Sequence, residues 1–136
     1  MNKSNENKGF RDIILEKALD IIVIINREGN IQYANRKIPG IIINNSKGKK
    51  IYDFILPEYH DEIKNAIGDI FKSQLKINKV IKGISPLTWN QIFFTPIISN
   101  GEVSNIIMTI RDITSQKRAE DKLRESEEKY RLLFEL

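Results

Sequence analysis

The chain of 136 residues lacks cysteine altogether and contains a single histidine and a single tryptophan. Without thiols it forms no disulfide, no thiolate metal site and no cysteine-linked chromophore. Long apolar runs are also missing: the longest, residues 21–25, is far shorter than the ~20 residues that cross a bilayer. The polar start, residues 1–7, lacks the apolar core of a signal peptide. We therefore expect a cytoplasmic chain that makes no membrane contact through this segment.

The charge balance argues against a nucleic-acid partner. The formal net charge is +4, from 22 Lys and Arg against 18 Asp and Glu. The basic residues are dispersed, form no block of like charge, and are not interleaved with aromatic side chains that would stack on bases. We interpret them as a solvated surface and predict that the chain does not bind nucleic acid.

The sequence contains no recognisable set of catalytic residues. There is no glycine-rich phosphate loop and no evident pair of nucleophile and base. Tyr52 and Asp53 are residue types with which some isomerases polarise a carbonyl group. However, adjacent residues on a short element point in different directions, so the sequence predicts that the chain is not an enzyme.

The hydrophobic pattern predicts two strands, then helices, then three strands. A β-branched run at residues 21–25 is followed by a glycine turn and by a second strand at 31–34, which is typical of a hairpin. A long helix is predicted after Pro57, with an apolar stripe along one side. The last three strands are predicted at residues 77–81, 87–98 and 103–113. This order indicates an α+β fold, with one five-stranded antiparallel sheet and helices on one face.

Flanking helices are predicted on both sides of this core. The composition predicts that residues 1–8 are disordered, and the apolar spacing predicts a short amphipathic helix as far as Leu19. The tail at 115–136 has acidic residues four positions before basic ones, which favours a helix. Heptad spacing in this tail predicts a parallel homodimer, with seam positions at Ala119, Leu123, Tyr130 and Leu133, and the helix around Phe10 to Ala18 is a second candidate contact. A solvated helix without a partner is the alternative interpretation.

Four motifs follow one another in order along the chain. They are the hairpin at 20–35, the approach to the long helix at 48–58, the turn at 100–103, and Arg111-Asp112-Ile113-Thr114 running directly into a charged helix. Together they resemble a PAS domain, the sensor and relay module of bacterial and archaeal signalling proteins. The strand joined stiffly to an exposed helix is typical of a device that transmits a change.

The resemblance implies a division of the chain into three parts. These are the N-terminal part at 1–19, the sensor domain at 20–114, and a signalling helix at 115–136 that leads to a second domain. The tail from Leu123 to Glu135 resembles the linker that opens a second PAS domain. The family therefore implies a longer parent protein, most often a sensor histidine kinase of a two-component system. A ligand-free dimerisation spacer with the same fold is the alternative.

A ligand cavity is predicted between the sheet and the long helix, because the apolar stripe of this helix needs a sheet face to pack against. The residues predicted to line it are Ile63, Ile67 and Phe71 on the helix, and Trp89 and Ile110 on strands. Because few polar residues are available there, we expect any ligand to be small and mostly apolar.

No metal and no cofactor is predicted. Some PAS domains bind haem through a histidine on the long helix, but His60 lies in its first turn among acidic residues. The light-sensing branch of the family needs a cysteine after Asn35, which is absent, and the following residues lack the motif of that branch, which also argues against a non-covalent flavin. The sequence therefore predicts a colourless protein.

The resemblance places the output joint at Asp112, Ile113 and Thr114. Ile113 continues the strand alternation and is expected to anchor the crossing from sheet to helix. Thr114 is predicted to cap the helix by accepting a hydrogen bond from a backbone N–H two or three residues on. Asp112 is expected to hold a donor from the sheet or a neighbouring loop, and its charge suits a helix N-terminus. A plain strand-to-helix junction is the alternative.

Overall fold

The computed structural model describes residues 9–10, 20–35, 49–85 and 87–135. Most of the predicted N-terminal helix lies outside these residues. Within them the strands are β1 (Ile21–Ile25), β2 (Ile31–Ala34), β3 (Ile77–Lys82), β4 (Trp89–Ser99) and β5 (Glu102–Asp112). The α-helices are α1 (His60–Ser73) and α2 (Thr114–Glu135).

The strands form one antiparallel sheet with the order β2-β1-β5-β4-β3. The first and last strands of the sequence order, β1 and β5, therefore lie side by side at the centre, and Ile21 is paired with Ile110. This confirms the predicted five-stranded antiparallel sheet and the α+β class. It also brings the start of β1 and the end of β5 to the same edge of the molecule.

Two turns fold as the local sequence predicts. In the first hairpin the Asn26 side-chain oxygen accepts hydrogen bonds from the backbone N–H groups of Glu28 and Asn30, at 3.1 and 2.9 Å. In the β4–β5 hairpin Asn100 and Gly101 have φ angles of 54° and 78°. Positive φ at both central residues is the mark of a tight type I′ turn, for which Asn-Gly is the preferred pair.

The helix α1 covers one face of the sheet through its apolar stripe. It begins at His60, directly after a short 3₁₀ turn at Pro57–Tyr59. Proline suits the first position of such a turn, because its missing N–H would have no partner there. Its buried residues are Ile63, Ala66, Ile67 and Ile70. They pack with the inward side chains of the strands, which are Val23, Ile25, Ile81, Ile92, Phe94, Ile106 and Met108. Burial of each large side chain contributes ~1.5–3 kcal/mol, so this face holds the domain together.

The helix α2 has the opposite character. It runs for 22 residues and none of them is buried. Within the described part of the chain no helix is long and apolar enough to span a membrane.

Candidate signal joint at the end of the sheet

The joint between sheet and C-terminal helix is only one residue long. The strand β5 ends at Asp112, which is paired with Asn90, and α2 begins at Thr114. Ile113 between them is 7% exposed and belongs to the buried apolar residues. Its carbonyl accepts the first helical hydrogen bond, from the N–H of Lys117 at 2.9 Å. A helix that starts so close to a strand cannot turn without disturbing the strand end.

A chain of hydrogen bonds fixes this start to the neighbouring strand β4. The carboxylate Oδ1 of Asp112 accepts from the backbone N–H of Thr114 at 2.9 Å and from the Thr114 hydroxyl. The Thr114 Oγ1 in turn accepts from the backbone N–H of Trp89 at 3.0 Å. The N–H of Ile113 also donates to the carbonyl of Trp89, at 2.9 Å. The first residue of β4 is therefore bonded directly to the first residue of α2.

The predicted capping role of Thr114 is wrong. Its hydroxyl oxygen accepts a hydrogen bond from the backbone N–H of Trp89 rather than from a later N–H of the helix. The hydroxyl donates its own hydrogen bond to the carboxylate of Asp112. The reason is position: Thr114 already lies inside the helix, and a cap must precede it. The carboxylate of Asp112 takes one of the unpaired N–H groups of the first turn instead. An ionised acceptor makes a stronger bond than a hydroxyl.

These bonds also stabilise the ionised form of Asp112. The hydrogen bond from the Thr114 hydroxyl, followed by that from its N–H, lowers the pKa of Asp112 below the ordinary value of 3.8. The charge of Arg118, one turn into α2, acts in the same direction with a smaller effect. The joint is therefore built around a carboxylate that is charged at neutral pH.

Trp89 belongs to this joint and does not line the predicted cavity. Ile92 and Phe94 point towards α1 and are buried, so the regular alternation of β4 directs Trp89 to the opposite, outer face. The ammonium groups of Lys82 and Lys117 lie 5.5 and 5.2 Å from the centre of its ring. Lys117 comes from the first turn of α2, which gives the indole a cation–π contact with the helix as well. Sequence alone placed Trp89 on the wrong face because alternation defines two faces without saying which one is inner.

The other predicted cavity residues lie together on the inner side of the sheet. Ile63 and Ile67 are in the buried core, and Phe71 and Ile110 pack against it. Phe71 lies towards the edge, where the guanidinium of Arg27 is 4.5 Å from the centre of its ring. These four residues form one apolar cluster, and a ligand among them stays a prediction.

His60 is held by the loop that precedes its helix. Its Nε2 lies 2.8 Å from the carbonyl oxygen of Ile55, and its ring meets Tyr52 edge-on with 5.4 Å between ring centres. Burial raises the pKa of the Tyr52 hydroxyl, whereas the side chain of the adjacent Asp53 is exposed. His60 borders a polar surface cavity of about 510 Å³, lined also by Arg27, Glu28, Lys50, Tyr52, Asp61 and Lys64. Its environment is therefore polar and partly open to water.

The predicted dimer seam is fully available on α2. The side chains of Leu123, Tyr130 and Leu133 are 61–69% exposed, and Ala119 is exposed as well. Leu132 and Phe134 lie outside the heptad seam and are equally exposed. The rings of Tyr130 and Phe134 are 4.6 Å apart along the helix. The apolar surface of the last turns is thus wider than the heptad pattern indicated.

One contact near the joint has no signal in the sequence. Arg111, next to Asp112, forms an ion pair with Asp20, the residue before β1, with 3.1 Å between Nη2 and Oδ2. The two residues are 91 positions apart. Only the strand order, with β1 beside β5, could have revealed the pair in advance.

Comparison with known proteins supports the fold assignment. No family model matches the chain. Sporulation kinase A of Bacillus subtilis (strain 168) is 29% identical over 125 residues, a match that covers 82% of this chain and 19% of the relative's own length. The PAS domain of a protein from Colwellia psychrerythraea superposes with a TM-score of 0.67 at 18% identity, covering 80% of this chain and 98% of that one. The RpfR quorum-sensing receptor PAS domain of Cronobacter turicensis, in complex with C12:0, superposes with a TM-score of 0.56 at 21% identity, covering 71% and 96%. The chain therefore has the fold of a PAS domain.

Proposed function

We propose that this chain is a sensing and relay domain that converts a change in its sheet into a change in the orientation of α2. The observation that carries the proposal is the hydrogen-bonded series from Trp89 through Thr114 to Asp112. It ties the helix to two strands at its first residue, while no residue of the helix is buried beyond it. A small shift of the strand ends therefore redirects the whole helix without breaking a hydrophobic core.

The magnitudes suit a relay. Each hydrogen bond of the joint contributes ~0.5–1.5 kcal/mol net, whereas a buried core side chain contributes more. Because a ligand shifts an equilibrium only by its differential affinity for two states, a joint held by a few weak bonds responds to modest inputs. The same bonds are specific in geometry, so the helix has a defined direction in each state.

The input is proposed to be a small, mostly apolar molecule in the interior. The cluster of Ile63, Ile67, Phe71 and Ile110 supports this, because its side chains offer apolar surface and no charge. Native mass spectrometry of freshly purified protein, with an absorbance scan, tests the proposal. A bound apolar molecule with no visible absorbance is expected. A stoichiometric haem or flavin spectrum would contradict the expected chemistry, and a clean apo mass would favour a spacer.

The output is proposed to be a histidine kinase on the same polypeptide. The similarity to Sporulation kinase A supports this, although the match spans only 19% of that kinase. A chimaera would test it, with this chain replacing the aligned segment of the kinase. Asp112→Ala should change the autophosphorylation rate of the chimaera, and Asp121→Ala on the exposed side of α2 should not. Equal rates in all three proteins would contradict the relay.

A dimerisation spacer is the second candidate, favoured by the exposed apolar side chains of α2. In that case α2 joins two copies in parallel and the sheet is only a support. The two functions differ in the chimaera: a spacer tolerates Asp112→Ala but loses output when the seam is disrupted at Leu123 and Leu133.

A further inference from the structure

The chain enters and leaves the sheet at neighbouring points. Asp20 immediately precedes β1 and Arg111 is the second-last residue of β5, and these two strands are paired through Ile21 and Ile110. The guanidinium of Arg111 donates two hydrogen bonds to the Asp20 carboxylate, from Nε to Oδ1 at 3.3 Å and from Nη2 to Oδ2 at 3.1 Å. A forked contact of this kind fixes direction as well as distance.

Both partners are held in place by further contacts. The Arg111 guanidinium lies 5.6 Å from the centre of the Phe93 ring, on the outer face of the sheet. The backbone of Asp20 is fixed by the side-chain amide of Asn35, which donates to the Asp20 carbonyl at 3.2 Å. The same Asn35 accepts from the N–H of Ile22 at 2.8 Å. The pair is thus a defined connection between two ordered strand ends.

Arg111 is adjacent to the residue that holds the start of α2. Successive side chains of a strand point to opposite faces, so Arg111 contacts the outer face while Asp112 turns to Thr114. A displacement of Asp20 is therefore passed through the backbone of β5 to the carboxylate that fixes α2.

We infer that Asp20 and Arg111 are positioning residues that couple the start of β1 to the output helix, so that a displacement of Asp20 is transmitted to α2. This inference rests on the proposed relay function and names its second input. The domain then has an input at the start of β1 as well as one at the ligand. The pair is well suited to switching because the side chain of Arg111 is 54% exposed and that of Asp20 is 22% exposed. Partly exposed ion pairs are weak and are screened by salt.

A double-mutant cycle tests the coupling on this chain. The variants are Asp20→Asn, Arg111→Gln and the combination of both, with Arg111→Lys as the conservative rescue. The readouts lie at the output: amide hydrogen exchange of Lys117, whose N–H closes the first turn of α2, and the fluorescence of Trp89. Each single variant should raise the exchange rate about two- to five-fold, the ratio expected for an exposed ion pair. The double variant should add nothing further, and Arg111→Lys should restore part of the protection.

The ion pair between Lys79 and Glu62 is a matched control. It also joins two elements, β3 and α1, at 3.4 Å, with side chains 33% and 45% exposed. Lys79→Gln and Glu62→Gln should leave Lys117 exchange and Trp89 emission unchanged. The inference is overturned if Asp20→Asn leaves both readouts at wild-type values, or if the control variants change them equally.

The relay and the coupling can fail separately. If Asp112→Ala changes the exchange of Lys117 but Asp20→Asn does not, the relay stands and Asp20 is not its input. If neither variant changes it, the joint does not control α2 and both proposals fall.

Discussion

The two helices of this domain are attached to the sheet in opposite ways. The helix α1 buries Ile63, Ala66, Ile67 and Ile70 against the strands, along most of its length. The helix α2 is longer but contains no fully buried residue, and it is held at its first turn by hydrogen bonds and one cation–π contact. The position of α1 is therefore set by the core, whereas the direction of α2 is set by a few polar contacts. A domain built in this way can redirect one helix and keep its fold.

Truncation of a core side chain in α1 should have the largest effect. Ile67→Ala removes a side chain that is 2% exposed and should lower the free energy of unfolding by ~2–5 kcal/mol, because a cavity is left. Leu123→Ala, which truncates an exposed residue of α2, should change it by less than ~0.5 kcal/mol. Urea unfolding of dilute protein measures both. Equal losses would show that α2 packs as tightly as α1.

Removal of the Asp112 carboxylate should have an intermediate effect. Asp112→Ala deletes the acceptor for the N–H and hydroxyl of Thr114 and should cost ~1 kcal/mol, as loss of a helix cap does. The circular dichroism spectrum should remain that of a folded domain. Complete unfolding at room temperature would mean that Asp112 is a structural residue of the core and not a joint.

The contribution of Asp112 should disappear in acid. Because its pKa is lowered in the folded state from the ordinary 3.8, the ionised form is the one that stabilises. The stability difference between the wild type and Asp112→Ala should be fully present above pH 3.8 and should shrink as the pH falls through the folded pKa. Urea titrations at stepped pH measure the difference. A stability difference that grows as the pH falls would contradict the hydrogen bonds assigned to the Asp112 carboxylate.

Polar substitution in the seam should have the smallest effect on folding and a visible one on association. Leu133→Ser alters a residue that is 69% exposed, so the stability of a dilute sample should change by less than ~0.5 kcal/mol. If two copies pair through α2, the dimer dissociation constant should rise. Glu128→Ser, also exposed on α2 but outside the seam, is the control. Sedimentation equilibrium compares them, and equal association by both variants would show that the seam is wrongly assigned.

Local sequence predicted the elements and turns but not the contacts of the joint. Asn100-Gly101 and the alternation of β4 and β5 depend on near neighbours, and both folded as predicted. Which face of the sheet Trp89 lies on depends on where α1 packs, and this is set by contacts between distant parts of the sequence. For Thr114, the sequence motif correctly located the start of α2, but the predicted capping role was wrong. The hydroxyl oxygen accepts a hydrogen bond from the N–H of Trp89, which lies 25 positions earlier in the sequence.

The most direct test of the account is the distance distribution between α1 and α2. The absence of cysteine allows a pair of spin labels at Lys72→Cys and Glu125→Cys, both at exposed positions, diluted with unlabelled protein to remove signals between copies. In the Asp112→Ala background the distribution should shift or broaden while the fold is retained. Asp121→Ala, which removes only a contact within α2 to Arg124, should leave it unchanged. Identical distributions for the wild type and Asp112→Ala would contradict the claim that this joint sets the direction of α2.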